Sequence, residues 1–243
     1  MPFRFSFRRW VPLAAALLLA ALGIALGNWQ AGRAHQKETL AQVMAERARE
    51  APLSIDFARG ALDLDALEFR SVSVRGDFVR DWTIYLENRP YQGQPGFYVL
   101  TPLRVVGTSE HVLVLRGWGP RDGADRTRRP DFSTPAGEVT VTGLVRRDPG
   151  RVLQLGRASD PEPGVVLQNL DQAELARASG LALLPFVLQQ TDAAAGAHAD
   201  GLVRDWPAPS LGVDKHRGYA FQWYALAAAA LIFFIVTGFR RAK

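Results

Sequence analysis

The chain of 243 residues contains no cysteine and only four histidines. The absence of cysteine excludes disulfide bonds, iron–sulfur clusters, thiolate zinc sites, thiol catalysis and the thiolate copper sites of a copper chaperone. A metal site with several histidine ligands would require distant positions to converge. The sequence also lacks the G-x-S-x-G, H-E-x-x-H, Walker and G-x-G-x-x-G motifs. No residue set requires a catalytic reaction, and we expect no catalytic residues.

Acidic residues are missing from both ends of the chain. The formal net charge is +5, but residues 1–33 carry four arginines and no acid, and residues 218–243 carry three basic residues and no acid. The middle, 34–217, holds the other 22 basic residues and all 24 acids, a net charge of −2. Binding to a phosphate backbone needs a basic face on the folded part of a protein. This distribution counts against nucleic acid as a partner.

Two long apolar runs stand near the two ends. Trp10–Gly32 contains 23 consecutive uncharged residues, and Gly218–Phe239 contains 22. At about 1.5 Å per residue, each is long enough to cross a hydrocarbon layer of about 30 Å. The sequence therefore predicts two transmembrane helices and contact with membrane lipid. A cleaved signal peptide is the alternative for the first run, because Ala25 and Gly27 supply small residues behind an apolar stretch.

The basic flanks predict the orientation, because Lys and Arg accumulate on the cytoplasmic side of membrane helices. Both termini are then cytoplasmic, and the middle of the chain lies on the outer face, which is the periplasm at a bacterial inner membrane. The predicted order is a cytoplasmic tail (1–9), transmembrane helix one (10–32), a periplasmic β-rich domain (33–217), transmembrane helix two (218–239) and a cytoplasmic tail (240–243).

The middle of the chain has the pattern of a sheet-rich domain. Residues 34–50 contain strong helix formers without Gly or Pro, which predicts that the first helix continues beyond the apolar run. Short alternating β-type segments on short connections then dominate, and one short helix is predicted at Asp171–Ser179, closed by Gly180. The fold class is α+β, with a mostly antiparallel sheet that is either open or closed into a barrel.

His216 has neighbours that suit a cofactor. On a helix, His216, Tyr219 and Trp223 fall on one face at the predicted outer interface, with Lys215 and Arg217 beside the imidazole. This arrangement would suit haem, with His216 as the axial ligand of the iron, aromatic walls along the ring, and the propionates toward the basic residues. The alternative is a membrane-interface anchor, where the same residue types are common.

The other three histidines have simpler interpretations. His111 alternates within an apolar strand, which indicates a structural side chain. His198 stands among small residues in a predicted loop and is expected to be solvated. His35 follows the first apolar run, and we interpret it as a polar residue of the membrane interface.

Several short motifs follow one another along nearly the whole chain. They are Gly27-Asn28-Trp29-Gln30 with Arg33 and Lys37, Glu87-Asn88-Arg89, Gly96-Phe97, Thr101-Pro102-Leu103, Arg116-Gly117-Trp118, Gly143 with Arg146, Trp206-Pro207, His216, Tyr219-Ala220, Gln222-Trp223 and Leu226-Ala227. In this order they resemble the motifs of the surfeit-locus protein one family of cytochrome oxidase assembly factors. The chain departs from the family pattern at Lys215 and Arg217, where Asn and Leu are common, and at Leu115, where a polar residue is usual.

The resemblance implies an assembly factor for haem–copper oxidases and not an enzyme. It implies that haem a is bound through His216 and passed to the large catalytic subunit of cytochrome c oxidase, with a haem a synthase as a further candidate partner. A haem-free scaffold that stabilises an early assembly intermediate is the alternative within the family. An unrelated membrane-tethered periplasmic binding module would fit the composition but not the ordered motifs.

The Arg116-Gly117-Trp118 block follows an alternating apolar strand. We expect it to form a structural corner, with Arg116 paired to an acid and Trp118 packed on the domain. At Gly117 we expect a backbone conformation that a side chain would not tolerate.

Overall fold

The computed structural model describes residues 7–55, 63–125, 128–154, 159–191, 200–206 and 212–240. The chain divides into two compact units, one of residues 1–43 with 208–243 and the other of residues 44–207. Most of the first predicted tail and residues 241–243 lie outside the described residues, as do His198 and Pro207.

The first unit is built on two long helices. Helix α1 (Phe7–Arg49) has 43 residues and helix α4 (Val213–Arg240) has 28. Both are long and apolar enough to cross a membrane. Helix α1 continues through 34–49, as predicted, because this stretch is rich in Ala, Glu, Gln and Lys and contains no Gly or Pro.

Small residues occupy the contact between the two helices, and large apolar residues face outward. On α1 the buried positions include Ala16, Ala20 and Ala34, and on α4 they include Ala220 and Ala227. The exposed side chains are the bulky ones, among them Leu18, Phe221 and Phe233. A soluble helix pair would bury these bulky residues, whereas small residues at the contact and large ones outside are typical of helices surrounded by lipid.

The second unit is a mixed β domain with two short helices, α2 (Leu64–Leu67) and α3 (Gln172–Ser179). Its strands among the described residues are β1 (Leu53–Ser54), β2 (Ser71–Phe78), β3 (Ile84–Leu86), β4 (Gly96–Val105), β5 (Glu110–Pro120), β6 (Val139–Arg146), β7 (Val166–Leu167) and β8 (Ala182–Gln190). Five of them pair in the order β2-β6-β8-β5-β4, and β4 pairs again with β2, so these strands close into a barrel. Only the β5–β8 pair within this ring is parallel. The predicted α+β fold is confirmed, and the barrel is the form that it takes.

Alternation along the strands separates two apolar layers. One layer takes side chains from all five barrel strands, such as Val74, Val112 and Phe186, and therefore fills the barrel interior. The other layer takes the opposite face of β5 and β8 and is covered by Leu175 of α3. Helix α3 begins where Asp171 accepts hydrogen bonds from two backbone N–H groups and ends at left-handed Gly180.

The Arg116-Gly117-Trp118 block lies within strand β5, where the β4–β5 register shifts, and not at the expected corner between elements, but its predicted contacts are present. The guanidinium of Arg116 is buried and donates to Asp200 Oδ2 at 2.9 Å, and Trp118 is buried. The expected conformation of Gly117 is wrong: its φ is not in the left-handed range, but a Cβ there would lie 2.6 Å from Leu202 Cβ. The glycine is required by the close approach of the 200–206 segment.

Arg89 fixes the loops beside the Arg116-Gly117-Trp118 block. Its guanidinium is buried and donates to the carbonyl oxygens of Glu87, Gly150 and Gln168, each at 3.0 Å. Its own carbonyl oxygen accepts a 2.6 Å hydrogen bond from Trp118 Nε1. Burial lowers the pKa of the Arg89 guanidinium. The two central motifs of the resemblance are therefore parts of one structural network.

Candidate functional site

His216 lies in the first turn of α4 and contacts the partner helix of its own unit. Its Nδ1 is 2.7 Å from Gln30 Oε1 of α1, and the contact is partly buried. An amide oxygen only accepts hydrogen bonds, so a hydrogen bond in this geometry requires the tautomer with the proton on Nδ1. In that tautomer the lone pair of the neutral imidazole is on Nε2, and this nitrogen is the one that can ligate a metal.

A second polar contact fixes the two helices two residues before Gln30 on α1 and eight residues after His216 on α4. Tyr224 donates through its hydroxyl to Asn28 Oδ1 at 2.8 Å. The ring of Tyr224 lies over Gly27, where an added Cβ would be 2.7 Å from Cδ1 of the ring. Gly27 and Asn28 thus provide the space and the acceptor for one aromatic side chain of α4.

Arg217 is held by α1 as well. Its Nη2 lies 2.7 Å from Glu38 Oε1, although the Arg217 side chain remains 65% exposed. Lys215 is also exposed. Both residues are predicted to contact the propionates. The Arg217 guanidinium is already paired with the Glu38 carboxylate, so Lys215 carries the more available positive charge.

The predicted aromatic walls lie at one-turn intervals along α4 from His216. Tyr219 is 53% exposed, and Trp223 is half-buried. A groove of about 340 Å³ lies on the neighbouring face of the helix pair. Of the predicted site residues, Arg217 lines this groove, and His35 of α1 lines it as well. Its other lining residues are Ala31, Ala34, Glu38, Ala220, Phe221 and Tyr224.

The sequence interpretation selected His216 as a candidate ligand but did not include the residues of α1 that contact the start of α4. Gln30, Asn28 and Glu38 belong to α1, and each contacts a residue of α4 that is about 180 to 200 positions away. The only available indication was the placement of Asn28 and Gln30 in the first motif, because their partners depend on how the helices pair.

The site offers few side chains that could ligate a metal. Within the described ranges, no group of three or more His, Asp or Glu side chains could hold a metal ion. A single imidazole with a defined tautomer is suited to a metal that already sits in a macrocycle, where one axial ligand from the protein is enough. The residues present therefore fit haem better than a bare metal ion.

Comparison with known proteins identifies the family. A sequence profile of the SURF1 family matches residues 17–228. The chain is 28% identical over 229 residues to a "SURF1-like protein" of Drosophila melanogaster, covering 88% of this chain and 73% of that protein. It is 30% identical to "Surfeit locus protein 1" of Homo sapiens over 158 residues, and 33% identical to the protein of that name in Arabidopsis thaliana over 122 residues.

The matched regions cover 50% of the human protein and 34% of the Arabidopsis protein, so this chain aligns with only part of these relatives. The family match, in contrast, takes in the barrel, most of α1 and the first part of α4. SURF1 assembly factors are not enzymes. The chain belongs to the SURF1 family, whose members are known as cytochrome oxidase assembly factors.

Proposed function

We propose that this chain binds haem a through His216 and assists its insertion into the large catalytic subunit of cytochrome c oxidase. The observation that carries the proposal is the hydrogen bond from His216 Nδ1 to Gln30, which leaves Nε2 as a lone-pair donor at the start of α4. Family membership supplies the oxidase context.

The neighbouring side chains fit the other parts of the macrocycle. Tyr219 and Trp223 present aromatic surface on the same helix, and stacking on a flat ring favours such side chains. Lys215 and Arg217 stand at the polar end of this face, where a charge-assisted contact with propionates would form. Haem a would supply an iron that takes a nitrogen ligand, and the chain would supply the imidazole, the aromatic walls and the positive charges.

The proposal includes a location and partners. The chain would be held in a bacterial inner membrane by residues 10–32 and 218–239, with tails 1–9 and 240–243 in the cytoplasm and the domain of residues 33–217 in the periplasm. The basic flanks support this orientation. The large oxidase subunit would receive the haem, and a haem a synthase would deliver it.

The test is haem per protein after coexpression with haem a synthesis, in protein purified in detergent. We expect His216→Ala to lose most of the haem while membrane insertion persists, because the apolar run is untouched. Trp223→Ala should retain less haem than the wild type but more than His216→Ala, since it removes ring contact and not the iron bond. His35→Ala is the matched histidine control and should behave as the wild type.

Two outcomes contradict this proposal. If His216→Ala keeps the wild-type amount of haem and His35→Ala loses it, the iron ligand is His35 in the groove beside α4 and not His216. If the wild type and all three variants stay free of haem while haem a is supplied, the scaffold alternative explains the family role better.

A further inference from the structure

We propose that Gln30 is a positioning residue for the ligand: its amide oxygen fixes the His216 tautomer so that Nε2 faces the iron, and its neutrality keeps the iron–imidazole bond weak enough for haem to leave. This inference rests on the proposed function, because it assigns a second residue to the same site.

The geometry is the first support. The 2.7 Å distance between His216 Nδ1 and Gln30 Oε1 is short for a hydrogen bond with a neutral acceptor, and both side chains are half-buried. The acceptor comes from another helix, 186 positions away in the chain. Rotation of the imidazole would break this bond, so the ring is held in one orientation.

The helix pairing fixes Gln30 opposite His216. Tyr224 bonds Asn28 on one side of this contact along α1, and Arg217 pairs with Glu38 on the other side. The helices are antiparallel, since higher positions on α1 meet lower positions on α4. A polar contact on each side of Gln30 prevents the two helices from sliding, so the amide stays in front of the imidazole.

The chemistry of the acceptor sets the strength of the ligand. A group that accepts the Nδ1 proton raises the electron density at Nε2 and strengthens the bond to the metal. A carboxylate does so more than an amide, because hydrogen bonds to charged acceptors are about twice as strong. Gln30 therefore orients the ligand without making it a strong donor, which suits a protein that passes its cargo on.

The experiment compares wild type with Gln30→Leu and Gln30→Glu, and with Gln42→Leu and Gln42→Glu as matched controls at an exposed glutamine of α1. Haem affinity, the iron–imidazole stretching frequency and the reduction potential are measured in detergent. We expect Gln30→Leu to weaken haem binding about 10- to 100-fold, the loss typical of a partner that orients a metal ligand. Gln30→Glu should retain haem, with a higher stretching frequency and a lower potential. Both Gln42 variants should match the wild type.

Wild-type affinity in Gln30→Leu, or a frequency and potential in Gln30→Glu equal to those of Gln42→Glu, would overturn the inference. The haem-free protein provides an independent readout: 15N shifts of the His216 ring at alkaline pH should place the proton on Nδ1 in the wild type and shift it toward Nε2 in Gln30→Leu. A proton on Nε2 in the wild type overturns the inference. If the proton is on Nδ1 as expected but the protein never takes up haem, the proposed function is overturned, and with it the role of Gln30 in haem release.

Discussion

Arg116 places a charge at one end of the barrel interior. Its guanidinium lies 4.6 Å from the centre of the Phe78 ring and 5.2 Å from that of Phe132, and it donates to Asp200 at 2.9 Å. Arg204 pairs with the same carboxylate. Burial lowers the pKa of the Arg116 guanidinium, and the Asp200 carboxylate opposes this shift. Two cations share one carboxylate, so the stability of this region depends on Asp200.

We expect Asp200→Asn to lower the free energy of unfolding by about 3–5 kcal/mol, because it leaves buried guanidinium groups without a counter-charge. The measurement is denaturant unfolding of the detergent-purified chain, followed by tryptophan fluorescence. Glu138→Gln is the matched control: it breaks an ion pair with Arg75 whose side chains are 66% and 44% exposed. An exposed pair contributes about 0–1 kcal/mol. Equal losses in the two variants would contradict the view that burial makes Asp200 important.

The sequence predicted the kind of contact that a single residue makes better than it predicted the partner residue. The alternating strand before Arg116 was enough to predict that it meets an acid, but Asp200 is 84 positions away, in a segment without periodic pattern. Gly117 was predicted to be special, yet the reason is the proximity of Leu202, which no local pattern contains. His216 was selected as a candidate from spacing along one helix, whereas its contact with Gln30 depends on the pairing of two helices.

At the scale of elements, close packing of α1 on α4 depends on two glycines. A Cβ added to Gly23 would lie 2.9 Å from Ala227 Cβ, and a Cβ added to Gly27 would lie 2.7 Å from Cδ1 of the Tyr224 ring. The G-x-x-x-G spacing brings both glycines to one face of α1, which lets the backbones approach closely. The same face then presents Gln30 to His216.

We expect Gly27→Leu to separate the helices, because its side chain needs the space taken by the Tyr224 ring. Overpacking of this kind costs about 1–3 kcal/mol. The measurements are the thermal unfolding midpoint in detergent and haem per protein, and both should fall. Gly32→Leu is the control, since a Cβ at Gly32 meets nothing within 4 Å. Equal behaviour of the two variants would show that the contact at Gly27 is not what holds the helices together.

The elements of the barrel were easier to predict than its closure. Alternation indicated most of the strands, and the Asp171 cap with Gly180 indicated α3. Closure depends on β4, whose first half pairs with β3 and whose last three residues pair with β2. The alternation of apolar and polar residues along β4 does not show that one edge of this strand pairs with two different strands. An open sheet therefore fitted the sequence equally well.

At the scale of the molecule, the contacts of α1 weigh against the cleaved signal peptide considered for the first apolar run. Removal of residues before Asn28 would delete Gly27, on which the Tyr224 ring packs, together with buried Ala16 and Ala20. The apolar part of α4 would then lose most of its packing partner. A signal peptide has no such role, because the mature protein must fold without it.

We therefore expect the mature chain to retain both apolar helices, with its two ends on the cytoplasmic side. Alkaline phosphatase, which is active only outside the cytoplasm, should be active when fused after residue 120 and inactive when fused after residue 243. A fluorescent protein that folds only in the cytoplasm should give the opposite pair of results and so controls for expression. The basic clusters at the two ends are the physical cause, since the positive flanks of a membrane helix resist translocation. A mature N-terminus at Asn28, or phosphatase activity at residue 243, would contradict this topology.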